Sequence, residues 1–369
     1  MLKEIEIQNF RCFEQIKISG FERVNLIGGK NNAGKTALLE ALVLYIAPEA
    51  GSLEILRELR RDSSEALKAM PNRAWDNLFY ALKKEETIVI LGKDENHKID
   101  KLEISIKSLN KIISTSIITA PNLFNRLDIE IREIINSLPN KRFGVSVITI
   151  RSIRNENPLV MSFLISSSSG LITIGNISIT HESPIIASFM RISGRELTEA
   201  YDNARLNEKD SEVLKAFQII DPAIESVESF YIGEPTLYLR RKGEKRLPLS
   251  LFGDAMNRVA DIILKLVNSE HKILLIDEIE NGIHYTNQRD FWRMLFRLAV
   301  ELDTQIFATT HSLEMLQAFA DVGLEPNQEC SSAYFELARK LKTNQIIGSR
   351  LDLETLNYAL EHKEGVRGE

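Results

Sequence analysis

Cysteine is nearly absent from this chain. Its two copies, Cys12 and Cys330, lie at opposite ends, and neither is closely spaced from the other or from a histidine. A disulfide framework and a zinc site are therefore both without support, and the usage suits a reducing compartment. A second absence is the long apolar run. No stretch approaches the 18 or so residues that a membrane-spanning helix needs, so no membrane part is expected. The first residues, "MLKEIEIQNFRCF", alternate polar with apolar and carry charges where a signal peptide needs a continuous apolar core. A cytoplasmic location follows as the expectation. The third absence is a basic excess. With 46 Lys and Arg against 52 Asp and Glu, the net charge is −6, which argues against a chain-wide grip on nucleic acid but leaves room for a local basic face.

What is present is a large apolar share, 44% of 369 residues, enough for a full α/β core and one inserted part. Residues 4 to 27 alternate as strands, in "EIEIQNF", "EQIKISGF" and "RVNLIGG", and the last run ends on glycines before the apolar helix "KTALLEALVLYIA". From 51 to 82 the text is helical and charged. "ETIVILGKDENHKIDKLEISI" reads as a hairpin turning at Lys93 to Lys98. Between 108 and 200 the signals mix, with a helix in "LFNRLDIEIREIINSL" and strands in "VSVITI" and "LITIGNISI". From about 205 helices and strands alternate again, which favours a parallel sheet covered on both faces. The expected division is a head whose first part is 1–50, an inserted α+β region over 51–204, the second part of the head over 205–345, and a tail over 346–369.

"GGKNNAGKT" contains Gly29, four residues, then Gly34, Lys35 and Thr36, the full G-x-x-x-x-G-K-[ST] pattern in its strand–loop–helix context. The glycines let backbone amides of Asn31, Asn32 and Ala33 turn toward phosphate oxygens, and the following helix offers its positive end. Lys35 would reach the β and γ phosphates of ATP, and the Thr36 hydroxyl would bind Mg²⁺. A glycine-rich surface turn with a stray lysine is the plainer alternative.

"KILLIDEIENG" runs through four apolar residues into Asp277 and Glu278. Such a run suits a strand buried on both faces, and ligands of open α/β sheets sit at its carboxyl end. Asp277 would then hold Mg²⁺, directly or through water, and Glu278 would polarise the water attacking the γ-phosphate. The alternative is an acidic pair stabilised by a helix dipole. "QIFATTHS" ends a second buried run at His311, placed to contact the γ-phosphate or orient Glu278; standing alone, such a histidine is more often structural.

Taken in order, these motifs resemble the ABC-class ATPases, and the start "IEIQNFRCF" resembles their SMC and RecF branch, which implies that Arg11 lies near the nucleotide phosphates. "GGKNNAGKT", "GDAMNR", "LLIDEIENGIHY", "FATTHS" and "LDLETLNYALEHKEGVR" resemble more narrowly the OLD-family (overcoming lysogenization defect) AAA-type ATPases, over residues 1–50 and 190–369. The resemblance implies an α/β P-loop NTPase head of the ABC class, with a mainly parallel sheet flanked by helices, an antiparallel β subdomain and the inserted α+β region. It also implies a homodimer or higher homo-oligomer in which each nucleotide lies between one subunit's loop and the other's signature turn. Many relatives carry a Toprim nuclease domain; the 58 residues after His311 are too few for one. A separate nuclease or effector protein, DNA as a further partner, and a role in phage defence or DNA maintenance are implied.

The signature turn "SLFGDAMNR" departs from the family pattern of serine, one residue, glycine, acid, glycine. Gly253 and Asp254 match, whereas Leu251 takes the serine position, Ser250 lies one residue early, and Ala255 replaces the second glycine. Backbone amides at the start of the helix capped by Asp254 are still expected to face a phosphate, a plain helix cap being the alternative. These departures keep a second reading open, a hydrolysis-poor nucleotide-gated scaffold. The stretch "LRRKGEKR" (Arg240, Arg241, Lys242, Lys245, Arg246) is either a solvated hairpin tip or a DNA-backbone contact.

Overall fold

The strand "VNLIG" is apolar at nearly every position because it is covered on both faces. Val24 and Leu26 pack on one side of it and Ile27 on the other. The computed structural model describes residues 1–108, 125–138, 144–154, 157–175, 183–188, 192–269 and 272–362. Along the chain come β1 (Leu2–Phe10), β2 (Phe13–Ser19), β3 (Val24–Gly28), α1 (Lys35–Ile46), α2 (Ala50–Leu59) and α3 (Ser64–Ala69). Next are β4 (Ile88–Asp94), β5 (Ile99–Ser108), α4 (Asn125–Ser137), β6 (Ser146–Arg154), β7 (Asn157–Ser167), β8 (Gly170–Gly175) and β9 (Ile185–Ile186). Then follow α5 (Gly194–Leu206), α6 (Asp210–Ile220), β10 (Ile224–Ile232), β11 (Glu234–Arg241), β12 (Leu247–Pro248), α7 (Asp254–Asn268) and β13 (Ile273–Ile276). The last elements are α8 (Gln288–Glu301), β14 (Gln305–Thr309), α9 (Leu313–Gly323), β15 (Ser332–Arg339), β16 (Ile346–Leu351) and α10 (Leu353–Glu361).

The central sheet runs β16-β15-β3-β14-β13-β9, parallel throughout except for the edge strand β16. Its alternation is shared across strands. Leu274, Ile276, Ile306 and Ala308 join Val24 and Leu26 against α5 to α9, while Leu275 and Phe307 join Ile27 against α1. Each such burial contributes roughly 1.5–3 kcal/mol, so both faces are mostly apolar, with hydrogen-bonded Asn25, Gln305 and Thr309 as the polar exceptions, and the period-2 signal of a one-sided strand disappears.

A second sheet, β2-β1-β4-β5-β6-β7-β8, is antiparallel and closes over the other side of α1. The strands between 88 and 175 thus extend the hairpin begun by β1 and β2 and share its core. Near the far strands of that sheet, Ile131, Ile135 and Leu138 from α4 and the residue after it form a cluster with Val147 and Phe163. Gln305 joins the two sheets: its side-chain amide accepts from Leu2 N at 3.0 Å and donates to Leu2 O and Glu22 O, both at 2.8 Å. The third sheet, β10-β11-β12, carries the basic hairpin. An α/β P-loop architecture follows from these pairings: the loop strand β3 is separated from β13 by one intervening strand, β14. No helix among the described residues is long and apolar enough to cross a membrane.

Candidate active site

The loop between β3 and α1 takes shapes that only glycine adopts freely. Gly29 has φ +129°, and a Cβ there would stand 2.2 Å from the Leu337 carbonyl oxygen; Gly34 has φ +96° and a Cβ would meet the Phe13 ring at 2.9 Å. Gly34 is the N-cap of α1 and has no side chain to occupy the first-turn amides, which leaves a positive helix end aimed at the loop. Lys35 Nζ donates to the carbonyls of Gly29 at 2.7 Å and Lys30 at 3.0 Å. Burial pulls its pKa down to about 8, against the opposing pull of Asp277, Glu280 and Glu278.

Parallel pairing delivers the acidic pair to the same sheet edge. Asp277 follows β13 and is buried, and its Oδ1 accepts from the Thr309 hydroxyl at 2.8 Å. That hydroxyl accepts from the Glu278 amide at 2.8 Å. Burial pushes the Asp277 carboxyl up from its ordinary range, with the Thr309 hydrogen bond opposing. Glu278 takes a left-handed conformation (φ +46°), and its Oε2 accepts from Asn281 Nδ2 at 2.9 Å. His311 follows β14, and its amide donates to Glu280 Oε1 at 2.6 Å. Burial and the neighbouring Lys35 lower its pKa below the ordinary imidazole value, against the opposing pull of Glu280, Glu278 and Asp277, which favours the neutral ring.

Lys35, Thr36, Asn31, Asn32, Glu278 and His311 all line one open cavity of about 820 Å³, and Arg11 reaches it from the turn after β1. Arg11 does not present a bare guanidinium to that space: it is paired with the buried Glu40, Nε to Oε2 at 2.9 Å, and holds Asn77. Ala33 is buried under the loop. Thr36 and Asp277 supply hard oxygen donors of the kind Mg²⁺ takes, and Asp277 Oδ2 makes none of the hydrogen bonds that engage Oδ1. Among the described residues no group of three or more His, Cys, Asp or Glu is arranged to hold a metal, so these two would share an ion with phosphate oxygens and water. The donor set fits that arrangement.

Gly253 is not brought to this cavity within the chain. It is exposed, with φ +89° and open space where a Cβ would stand, and it is Gly253 that occupies the N-cap of α7. Asp254 is the first helical residue, which corrects the expectation that it caps the helix. An N-cap must have non-helical φ/ψ, and the extended-side glycine meets that need. Arg240, Arg241 and Arg246 of the basic hairpin are paired with Glu225, Asp221 and Glu228, so much of its charge is neutralised inside the sheet; Lys242 and Lys245 are exposed. His284 accepts the Thr286 amide beside Tyr285 and lies outside the cavity lining.

Four residues have roles that sequence reasoning did not reach. Glu280, the third carboxylate of "DEIE", was visible as a charge two positions beyond Glu278; its Oε2 is buried, without a hydrogen-bond partner among the described residues. Arg60 and Arg339 line the cavity, the latter donating to the Asn32 carbonyl at 3.4 Å. Arg258 donates to the carbonyls of Ala187 at 3.0 Å and Asp277 at 3.1 Å, joining α7 to the end of β13. No local pattern marks these arginines.

Comparison with known proteins yields a family match, described as "AAA domain, putative AbiEii toxin, Type IV TA system", over residues 69–316. A Helicobacter pylori protein named "ATP/GTP phosphatase" is 25% identical, with the whole of both chains covered. The Archaeoglobus fulgidus "DNA double-strand break repair Rad50 ATPase" is 46% identical over 44 residues, 12% of this chain and 5% of that one. Among solved structures, an SMC head bound to the C-winged helix domain of ScpA has a TM-score of 0.49 at 10% identity, covering 96% of this chain and 98% of that one.

Proposed function

We propose a function from one premise: this chain belongs to the AAA-domain family that matches it over residues 69–316. It is an ATPase. The observation that carries the reading is the convergence of Lys35, Glu278 and His311 on one cavity with Asp277 fixed behind them by Thr309. Lys35 and the α1 amides bind the phosphates, Glu278 takes the proton of the attacking water, and His311 orients that water or the γ-phosphate. Thr36 and Asp277 would hold Mg²⁺, which supplies charge neutralisation at the phosphates. The name of the full-length Helicobacter pylori relative supports nucleoside triphosphate hydrolysis.

The finer reading is an OLD-like, nucleotide-gated homodimer or higher homo-oligomer of the cytoplasm. In it the exposed Gly253 turn and the first residues of α7 complete the partner's site. The assembly acts on DNA or with a separate nuclease or effector, in phage defence or DNA maintenance. A second reading, a scaffold with negligible hydrolysis, is favoured by one observation: Leu251, in the serine position, is 68% exposed and has no hydroxyl to offer a phosphate. Steady-state phosphate release by the purified chain, with and without DNA, separates the two. Glu278→Gln is expected to bind ATP, accumulate as a dimer and lose turnover at least a hundredfold; normal turnover in that variant would refute the assignment.

A further inference from the structure

Glu40 stands five residues beyond Lys35 on α1, and its side chain is wholly buried. Two guanidinium groups converge on it. Arg11 donates from Nε to Oε2 at 2.9 Å and from a terminal nitrogen to Oε1 at 3.4 Å. Arg60, the C-cap of α2, donates from Nε to Oε1 at 2.6 Å and from a terminal nitrogen to Oε2 at 3.0 Å. One bidentate arginine already compensates a buried carboxylate, so Glu40 is held by one arginine more than its own charge requires, with Asp62 a further acid on the same cavity wall near Arg11.

The two arginines are not equivalent. Arg11 is 9% exposed and is fixed a second time by the backbone and side-chain oxygens of Asn77, both at 3.1 Å. Arg60 is 39% exposed, and among the described residues its guanidinium donates to Glu40 alone. Both line the cavity that contains Lys35. Arg60 therefore can leave Glu40 without stranding a buried charge, since Arg11 remains.

We propose that Arg60 is a nucleotide-responsive arm that exchanges Glu40 for the phosphate oxygens of the nucleotide held at the Lys35 loop. The exchange swaps one charge-assisted bidentate pair for another of the same kind, so its net free energy is small and its direction follows the charge offered. A triphosphate offers more than a diphosphate. Arg60 ends α2 and is followed by the left-handed Arg61 (φ +55°), so the exchange would also transmit nucleotide state to the end of that helix.

This inference rests on the ATP-binding reading of the Lys35 cavity. The experiment is ATP and ADP binding to wild type, Lys35→Ala, Arg60→Ala, Glu40→Gln and the double variant Glu40→Gln/Arg60→Ala, each with its thermal midpoint. Wild type that binds no ATP defeats the underlying reading, whatever Arg60 does. Given wild-type binding that Lys35→Ala abolishes, Arg60→Ala is expected to weaken ATP about tenfold and ADP less, a loss typical of one charged contact. Glu40→Gln releases the arm and is expected to tighten ATP, an effect absent from the double variant. If Arg60→Ala and Glu40→Gln lower the thermal midpoint while ATP affinity stays within twofold of wild type, Arg60 is a structural partner of Glu40 and the proposal is overturned.

Discussion

Thr309 Oγ1 lies 2.8 Å from Asp277 Oδ1 and donates to it, while accepting the backbone amide of Glu278 at 2.8 Å. One hydroxyl at the end of β14 thereby sets both acidic residues at the end of β13. Thr309→Val keeps the shape and leaves a buried carboxylate oxygen and a buried amide unpaired, which should destabilise the fold by ~1–3 kcal/mol. Removing that hydrogen bond also raises the Asp277 carboxyl further, because the bond is one of the influences holding it down. Turnover by Thr309→Val is expected to need more Mg²⁺ than wild type, and Thr309→Ser to restore it. A Mg²⁺ titration of both variants, with chemical denaturation alongside, checks this.

The buried Lys35 gives ATP affinity a defined pH dependence. Its pKa is lowered to about 8 by burial, and a bound triphosphate raises it again. Because binding raises the pKa, the lysine's contribution is fully present below about 8 and is lost progressively above it, as pH rises through the higher pKa of the bound state. Affinity should be flat from pH 6.5 to 7.5 and weaken above 8. Lys35→Arg, whose charge persists, should remove the trend; an affinity that holds steady to pH 9.5 in wild type would contradict it.

Arg258 ties α7 to the end of β13 through two carbonyls, those of Asp277 and Ala187. Arg258→Met preserves the aliphatic packing and leaves both carbonyls without that donor. The expected loss is roughly 1–3 kcal/mol in urea unfolding. Turnover is expected to fall more than nucleotide affinity, because α7 is displaced from β13 while the loop at Lys35 is untouched.

Two glycine substitutions should behave oppositely. Gly29→Ala places a Cβ 2.2 Å from the Leu337 carbonyl at φ +129°, so the loop must shift and ATP binding should fail. Gly51→Ala, inside α2 with its nearest atom 3.9 Å away, should be tolerated and stabilise by about 0.4–1 kcal/mol through the unfolded state. Thermal melts of the two variants, with ATP binding for the first, decide the matter.

Much of the fold was legible because its signals are local. The hairpin read over "ETIVILGKDENHKIDKLEISI" is β4 and β5, and the apolar runs at 273–276 and 305–309 are central strands buried on both faces. By contrast β15, "SAYFELAR", escaped notice although it pairs with β3 beside the phosphate loop. The turn Glu325–Gln328 that precedes it has its own local signal in Pro326 and Asn327, but the strand leads to no chemical motif, and its place depends on what β3 leaves unpaired.

By itself the sequence determined that Gly29, Gly34, Lys35 and Thr36 fall within eight consecutive residues between a strand and a helix, a pattern that is legible because it is local. It determined also that Asp277 and Glu278 end an apolar strand. Only the tertiary structure decided which side chains meet them. Arg60 reaches Glu40 across 20 positions, Arg258 reaches the Asp277 carbonyl across 19, and Thr309 reaches Asp277 across 32. Such partners are chosen by sheet register and helix packing, which place residues distant in sequence at hydrogen-bonding range and leave no periodic trace in the chain.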